Sequence, residues 1–254
     1  MHHSYIDKYA RHNSPLHRLD ARTKIISSIL FVVLIAVTPS PGSVFLTVGA
    51  SIPLFLCFIG RIPISYLLIR SLIIIPFAGF AALSYAFSSS SDDILWQWGP
   101  LRLSSEGMSN ALILLLRSWI AVSAMILLVN TTPFDSLLKG MRRLKVPALF
   151  IMLLSFFYRF LYLLWDEVER MQRARNMRYY GGYWKRQVGI MGSMISSLFL
   201  RSFQRAEMVQ FAMIARGWNG EIKLLPAFPL QRRDLMVLLS MIICLVGLWL
   251  LRTF

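Results

Sequence analysis

Residues 24–59 read KIISSILFVVLIAVT PSPG SVFLTVGASIPLFLCFI. Two apolar stretches, 24–38 and 43–59, flank Pro39-Ser40-Pro41-Gly42. Proline beside glycine breaks a helix and forces a turn. The stretch therefore predicts a helical hairpin of two membrane spans, each near the roughly 20 residues an apolar helix needs to cross a bilayer. Working outward, three more apolar windows follow at 71–87, 109–130 and 235–251, giving five predicted spans. Hydrophobic residues make up 56% of the 254, yet the formal net charge is +15. Mean hydropathy is +0.59, far above the soluble range. That combination describes a membrane protein with one strongly basic face. The first 24 residues are polar and no short apolar core precedes a small-residue cleavage site, so no cleavable signal peptide is expected.

Charge orients the spans, because Lys and Arg accumulate on the cytoplasmic side. Residues 1–24 hold Lys8, Arg11, Arg18, Arg22 and Lys24, and the turn at 60–70 holds Arg61 and Arg70. The opposite side has an uncharged turn and then the 88–108 loop, where Asp92, Asp93 and Glu106 outnumber Arg102. The expectation is a multi-pass protein of a bacterial or archaeal cell (inner) membrane, with a cytoplasmic N-terminus and four crossings before residue 132. Residues 132–234 then carry 17 basic residues against seven acidic ones. A fifth crossing puts Arg252-Thr253-Phe254 outside. The expected divisions are 1–131, an N-terminal segment with four spans; 132–234, a cytoplasmic helical module; and 235–254, the last span.

The middle segment has its own order. Pro133-Phe134-Asp135 opens a short basic helix with Lys139, Arg142 and Arg143, interrupted at Pro147. From 148 to about 178 an apolar stripe recurs at helical spacing: Leu149, Met152, Leu153, Phe156, Phe160, Leu163, Leu164, Val168, Met171. Its far end is charged, with Asp166 four residues before Arg170 and Glu169 four before Arg173, the favourable acid-first order. A second stripe (Val188, Met191, Ile195, Leu198, Phe199, Ala206, Val209, Met213) closes at Arg216, with Gly217 as the stop. Each long helix is thus tipped by an arginine in an Arg-x-aromatic-x-Gly pattern: Arg178-Tyr179-Tyr180-Gly181-Gly182 and Arg216-Gly217-Trp218-Asn219-Gly220. A guanidinium at a helix end often just complements the dipole. Dipole compensation needs neither the aromatic nor the repeat, whereas a planar fork of five donors suits a partner's groove.

Other constellations carry less. His2, His3, His12 and His17 include an N-terminal Met-His-His, but a metal site needs three or four convergent ligands and no metal is expected. Cys57 and Cys244 sit in predicted spans as small apolar residues. No glycine-rich phosphate loop is present, and no intramembrane acid or histidine pair suggests catalysis, so no bound cofactor and no enzyme activity are expected. Arg117 is the one charge well inside a span; the reading is a structural ion pair with the outer carboxylates Asp92, Asp93 or Glu106. Ala78, Gly79, Ala81, Ala82 and Ser84 let another helix approach closely, either within this bundle or from a partner subunit at Ala78, Gly79 and Ala82.

The stretch from Asn13 to Lys24 (NSPLHRLDARTK) resembles the N-terminal signature of the transmembrane T components of energy-coupling-factor (ECF) transporters, in the CbiQ wording of cobalt and nickel uptake systems. Ala212-Met213-Ile214-Ala215-Arg216-Gly217 matches that family's second Ala-Arg-Gly coupling motif. At the first motif Arg178 holds the arginine position, but Met177 and Tyr179 stand where the family has Ala and Gly. The resemblance covers essentially the whole chain, including Arg117-Ser118 and Asp166-Glu167. It implies an all-α membrane protein of about five spans with two long coupling helices. Its implied partners are two CbiO-like ATPase subunits, which bind ATP and Mg and receive Arg178 and Arg216 in grooves, and a CbiM-like substrate-binding membrane subunit, with or without a CbiN-like one. The bilayer is the remaining partner, and no nucleic acid is implied. The implied role is to pass ATP-driven motion to the substrate subunit for cobalt or nickel uptake. The alternatives are a T component serving vitamin-specific subunits, or a membrane scaffold outside transport.

Overall fold

The computed structural model describes residues 14–39, 42–88, 94–98, 101–178, 183–218, 220 and 232–250. The first helix, α1 (Ala21–Val37), starts where the Asp20 carboxylate accepts the Arg22 N–H at 3.0 Å, satisfying one of the orphan donors of a helix N-terminus. It stops at Thr38, which precedes Pro39 and is therefore held extended (φ −64°, ψ 112°). α2 (Ser43–Ile59) carries the buried Pro53 in its interior, which removes one helical hydrogen bond. One turn earlier, a Cβ on Gly49 would stand 3.1 Å from Ile35 Cδ1, so glycine there lets α2 close on α1.

In the bundle, α1 and α2 both pack on α5 (Ser105–Thr131), about 40 Å long at 1.5 Å per residue. Ser104 caps it, its Oγ accepting the Gly107 N–H at 2.9 Å. α1, α2 and α9 (Arg232–Leu250) meet it in one core built from Phe31, Ile35, Phe45, Leu46, Ile120, Ala124, Leu245 and Leu248. α3 (Ile64–Ser71) continues through a 3₁₀ turn, Leu72–Ile74, into α4 (Ile75–Ser88). Leu67 joins Cys57, Ile62 and Leu127 in a second cluster, and Ala82 of α4 meets Ala111 of α5 in a third. α6 (Phe134–Arg143) lies on α1: a Cβ at Gly140 would be 3.1 Å from both Ala21 Cβ and Ile25 Cδ1.

Two readings change. The third span begins at Ile64 rather than near residue 71, because Pro63 at the N-cap starts the helix and Leu67 is buried. Arg70 therefore lies within the helical run, its Nη1 donating to the Tyr66 hydroxyl one turn back. The 88–108 loop contains an antiparallel hairpin, β1 (Ile94–Trp98) and β2 (Leu101–Ser104), which pairs Trp98 with Leu101 and Ile94 with Ser104. Apart from this hairpin the protein is an all-α membrane protein.

Four helical runs among the described residues are long and apolar enough to cross a membrane: Ile64–Tyr85, Ser105–Thr131, Ala148–Met177 and Arg233–Leu250; Ser43–Ile59 is a shorter apolar helix. Ala148–Met177 is the first of the two long stripes, so it has the length and composition of a span as well as a charged far end. Phe55, Phe58, Phe77 and Phe80 are 65–76% exposed on the bundle's outside, where an aqueous surface would be polar and a lipid-facing one is apolar. The protein is a multi-pass membrane protein. It divides into two compact units, one of α1–α6, the hairpin and α9, the other of α7 (Ala148–Met177) and α8 (Trp184–Ala215). α6 belongs to the first unit because it packs on α1.

Candidate coupling site

α7 changes character along its length. Its charged half is laced on one side by Trp165 Nε1 donating to Glu169 Oε1 (2.9 Å) and by Glu169 with Arg173 (3.5 Å), the acid-first pair expected from spacing. Arg170 faces Glu167 three residues back, Nε to Oε2 at 3.9 Å. Glu167 also accepts from Arg201 Nη1 of α8. A small cleft around this meeting point is lined by Leu163 and Leu164 of α7 and by Leu198, Ser202 and Met208 of α8.

Both helices end at the expected arginines. Arg178 is the C-cap of α7 (φ −101°, ψ 6°), its N–H bonded to the Arg175 carbonyl at 3.0 Å. Tyr179, Gly181 and Gly182 of the first motif lie outside the described residues. Arg216 is the C-cap of α8, and the chain beyond it closes a full Schellman turn: Gly217 N–H to Ile214 O at 2.9 Å and Trp218 N–H to Met213 O at 3.0 Å. Gly217 sits at φ +78°, the left-handed conformation that this turn requires and that side chains resist. Met177, Arg178, Ala215, Arg216 and Gly217 are all exposed, Met177 at 88%. Neither guanidinium has an ion-pair or hydrogen-bond partner among the described residues.

Chain length fixes how far apart the tips stand. From the meeting of Glu167 and Arg201, Met177 is about 15 Å forward along α7 and Trp184 about 25 Å back along α8, at 1.5 Å per residue. The connection from Met177 to Trp184 reaches at most about 25 Å even when extended. α8 must therefore double back past α7, and Arg178 and Arg216 point out at opposite ends of the crossed pair, at least roughly 30 Å apart.

The remaining predicted positions resolve within the bundle. Arg117 Nη2 donates to the Thr38 carbonyl at the end of α1, a backbone oxygen at the negative end of that helix's dipole. Asp92 and Asp93 lie outside the described residues. Ala78 and Ala82 are buried, Ala82 against α5, whereas a Cβ at Gly79 would meet nothing within 4 Å. His2, His3 and His12 lie outside the described residues; Ser14 and His17 Nδ1 share a hydrogen bond of 2.7 Å. No group of three or more His, Cys, Asp or Glu side chains close enough to hold a metal occurs among the described residues.

One site in the bundle escaped the sequence reading. Lys24, buried at the start of α1, donates through Nζ to the Thr131 carbonyl (2.9 Å) and the His17 carbonyl (3.3 Å), and the Asp20 N–H donates to Asp234 Oδ1 (3.0 Å). The ends of α1, α5 and α9 are thereby joined by residues that spacing shows only as basic and acidic punctuation.

Residues 12–225 match the family described as CbiQ, cobalt transport protein. The chain is similar to the energy-coupling factor transporter transmembrane protein EcfT of Limosilactobacillus fermentum, 30% identical over 228 residues that cover 82% of each chain. It is 30% identical to EcfT of Streptococcus thermophilus over 228 residues, 85% of each. It is 29% identical to the cobalt transport protein CbiQ of Rhodobacter capsulatus over 228 residues, 88% of each. With the family matched over most of its length and the helix-end arginines in place, the chain belongs to the CbiQ family of transmembrane T components of ECF transporters.

Proposed function

We propose that this chain couples two ATPase subunits to a substrate-binding membrane subunit in an importer for cobalt or nickel, with its N-terminus and the α7–α8 unit in the cytoplasm. The observation that carries the reading is the pair of exposed arginines, without a side-chain partner among the described residues, capping α7 and α8 at opposite ends of one crossed pair. Each ATPase receives one guanidinium in a groove, where its fixed fork of donors meets carbonyls and carboxylates. Closure of the ATPases on ATP displaces the tips, and the two stiff helices carry that displacement to the crossing. ATP and Mg bind in the partners, and this chain does no chemistry on them.

The family description and the relative named CbiQ favour cobalt, with nickel the nearest alternative by charge and size. The relatives named EcfT are equally similar, which keeps a second reading in view: a T component serving vitamin-specific subunits. Mass spectrometry of the complex purified through this chain tests both. The expected result is a pair of ATPases with one further integral membrane protein, and uptake of radiolabelled cobalt or nickel after reconstitution. A chain that purifies without ATPases, or that itself hydrolyses ATP once they are removed, contradicts the proposal.

A further inference from the structure

The crossing of α7 and α8 is thinly packed. α8 has no buried residue along its whole length, and Ile151 is the one buried residue of α7 among those described. A crossing with so little apolar contact has a soft angle, because few dispersion contacts resist rotation of one helix over the other. Yet the tips stand about 15–25 Å from it, so a small change of angle moves them far. Something must hold the angle if displacement of one tip is to be felt by the other.

Glu167 is placed to do so. Its side chain is 16% exposed, while its partners Arg201 and Arg170 are 61% and 64% exposed. One carboxylate oxygen takes Arg201 from α8 and the other faces Arg170 of its own helix, with Leu163, Leu198 and Met208 around them. A carboxylate largely withdrawn from water and held between two guanidiniums is directional where apolar contact is not.

We propose that the Glu167–Arg201 pair is the pin of the crossed helices, a positioning element that sets the angle between α7 and α8 and so transmits motion between the two ATPase-facing tips. This rests on the coupling function proposed above.

The test uses the reconstituted complex with Cys57 and Cys244 replaced by alanine and spin labels at Asn176 and Ala212, near the two tips. In the parent protein the label-to-label distance should be long and narrowly distributed. Glu167→Gln and Arg201→Gln should each broaden it, and should lower cobalt or nickel uptake per ATP hydrolysed at least roughly fivefold, the lower end of coupling between sites. Both should leave the ATPases bound. The double variant should be no worse than the poorer single one, as for two residues acting through one contact. Glu169→Gln, which loses an exposed pair confined to α7, should leave the distance unchanged. An unchanged distribution in both single variants, additive losses in the double, or a broadened distribution with full uptake overturns the proposal. Failure of the coupling function itself shows elsewhere: ATPases that stay bound when Arg178 and Arg216 are both reversed refute that function, while the label distances still judge the pin.

Discussion

Gly217 shows how one residue fixes the direction of a functional one. Its φ of +78° closes the turn that ends α8 at Arg216, and a Cβ there meets no neighbour, so any cost of substitution is backbone strain alone. Gly217→Val should strain or unwind that turn at about 1 kcal/mol or more, and Gly217→Asn should be milder because asparagine tolerates the left-handed region. Uptake assays should rank glycine, then asparagine, then valine, with equal amounts of protein in the membrane. The arginine, its glycine and the stop were all legible in the sequence, since a helical stripe ending in Arg-Gly is a local signal. Arg117 was legible only in part. That a charge in a span must have a partner follows from its type and position, but a backbone carbonyl such as that of Thr38 leaves no mark in sequence. Arg117→Met should lower the thermal stability of the purified protein by about 1–3 kcal/mol, the cost of a buried acceptor left unmade. Arg117→Lys should recover part of it.

Among the elements, α7 and α8 were the most legible: long stripes of period 3.6 placed their ends within a residue or two of Met177 and Ala215. The run from Ile64 was less so, because Arg61 and Arg70 resemble a cytoplasmic connection, and only burial of Leu67 shows that the helix has already begun. The hairpin at Ile94–Ser104 was missed since its strands are too short to display alternation. For the small residues of α4, sequence offered packing within the bundle or contact with a partner subunit; Ala82 packs on α5, while Gly79 faces open space. Ala82→Phe should destabilise the bundle by about 1–3 kcal/mol through overpacking against α5. Gly79→Leu should leave the bundle's melting unchanged, because a side chain there enters open space. Thermal unfolding in one detergent compares the two directly.

At the scale of the whole molecule, charge supplied a topology and apolar blocks supplied the spans, but contacts between distant ends did not show. Lys24 reaching Thr131, and Asp234 reaching Asp20, join segments 107 and 214 residues apart. The proposed orientation predicts that in intact cells an impermeant thiol reagent modifies a cysteine placed at Ser90 and fails to modify one at Gly220; the reverse pattern would invert the assignment. The central claim concerns the two tips, and charge reversal tests it most directly. Arg178→Glu and Arg216→Glu are compared with Lys185→Glu and Arg186→Glu, exposed cations at the other end of α8. Cobalt or nickel uptake and pull-down of the ATPases are measured together. Uptake should fall at least roughly thirtyfold at Arg216, since a reversed charge in a desolvated docking site loses its pairing and repels its partner. The fall at Arg178, whose motif departs from Ala-Arg-Gly, should be smaller, and the two control sites should lose little. The Arg178→Glu, Arg216→Glu double variant should release the ATPase pair. Equal tolerance at all four positions, with the ATPases still bound, would mean that the arginines merely complement helix dipoles and would contradict the account.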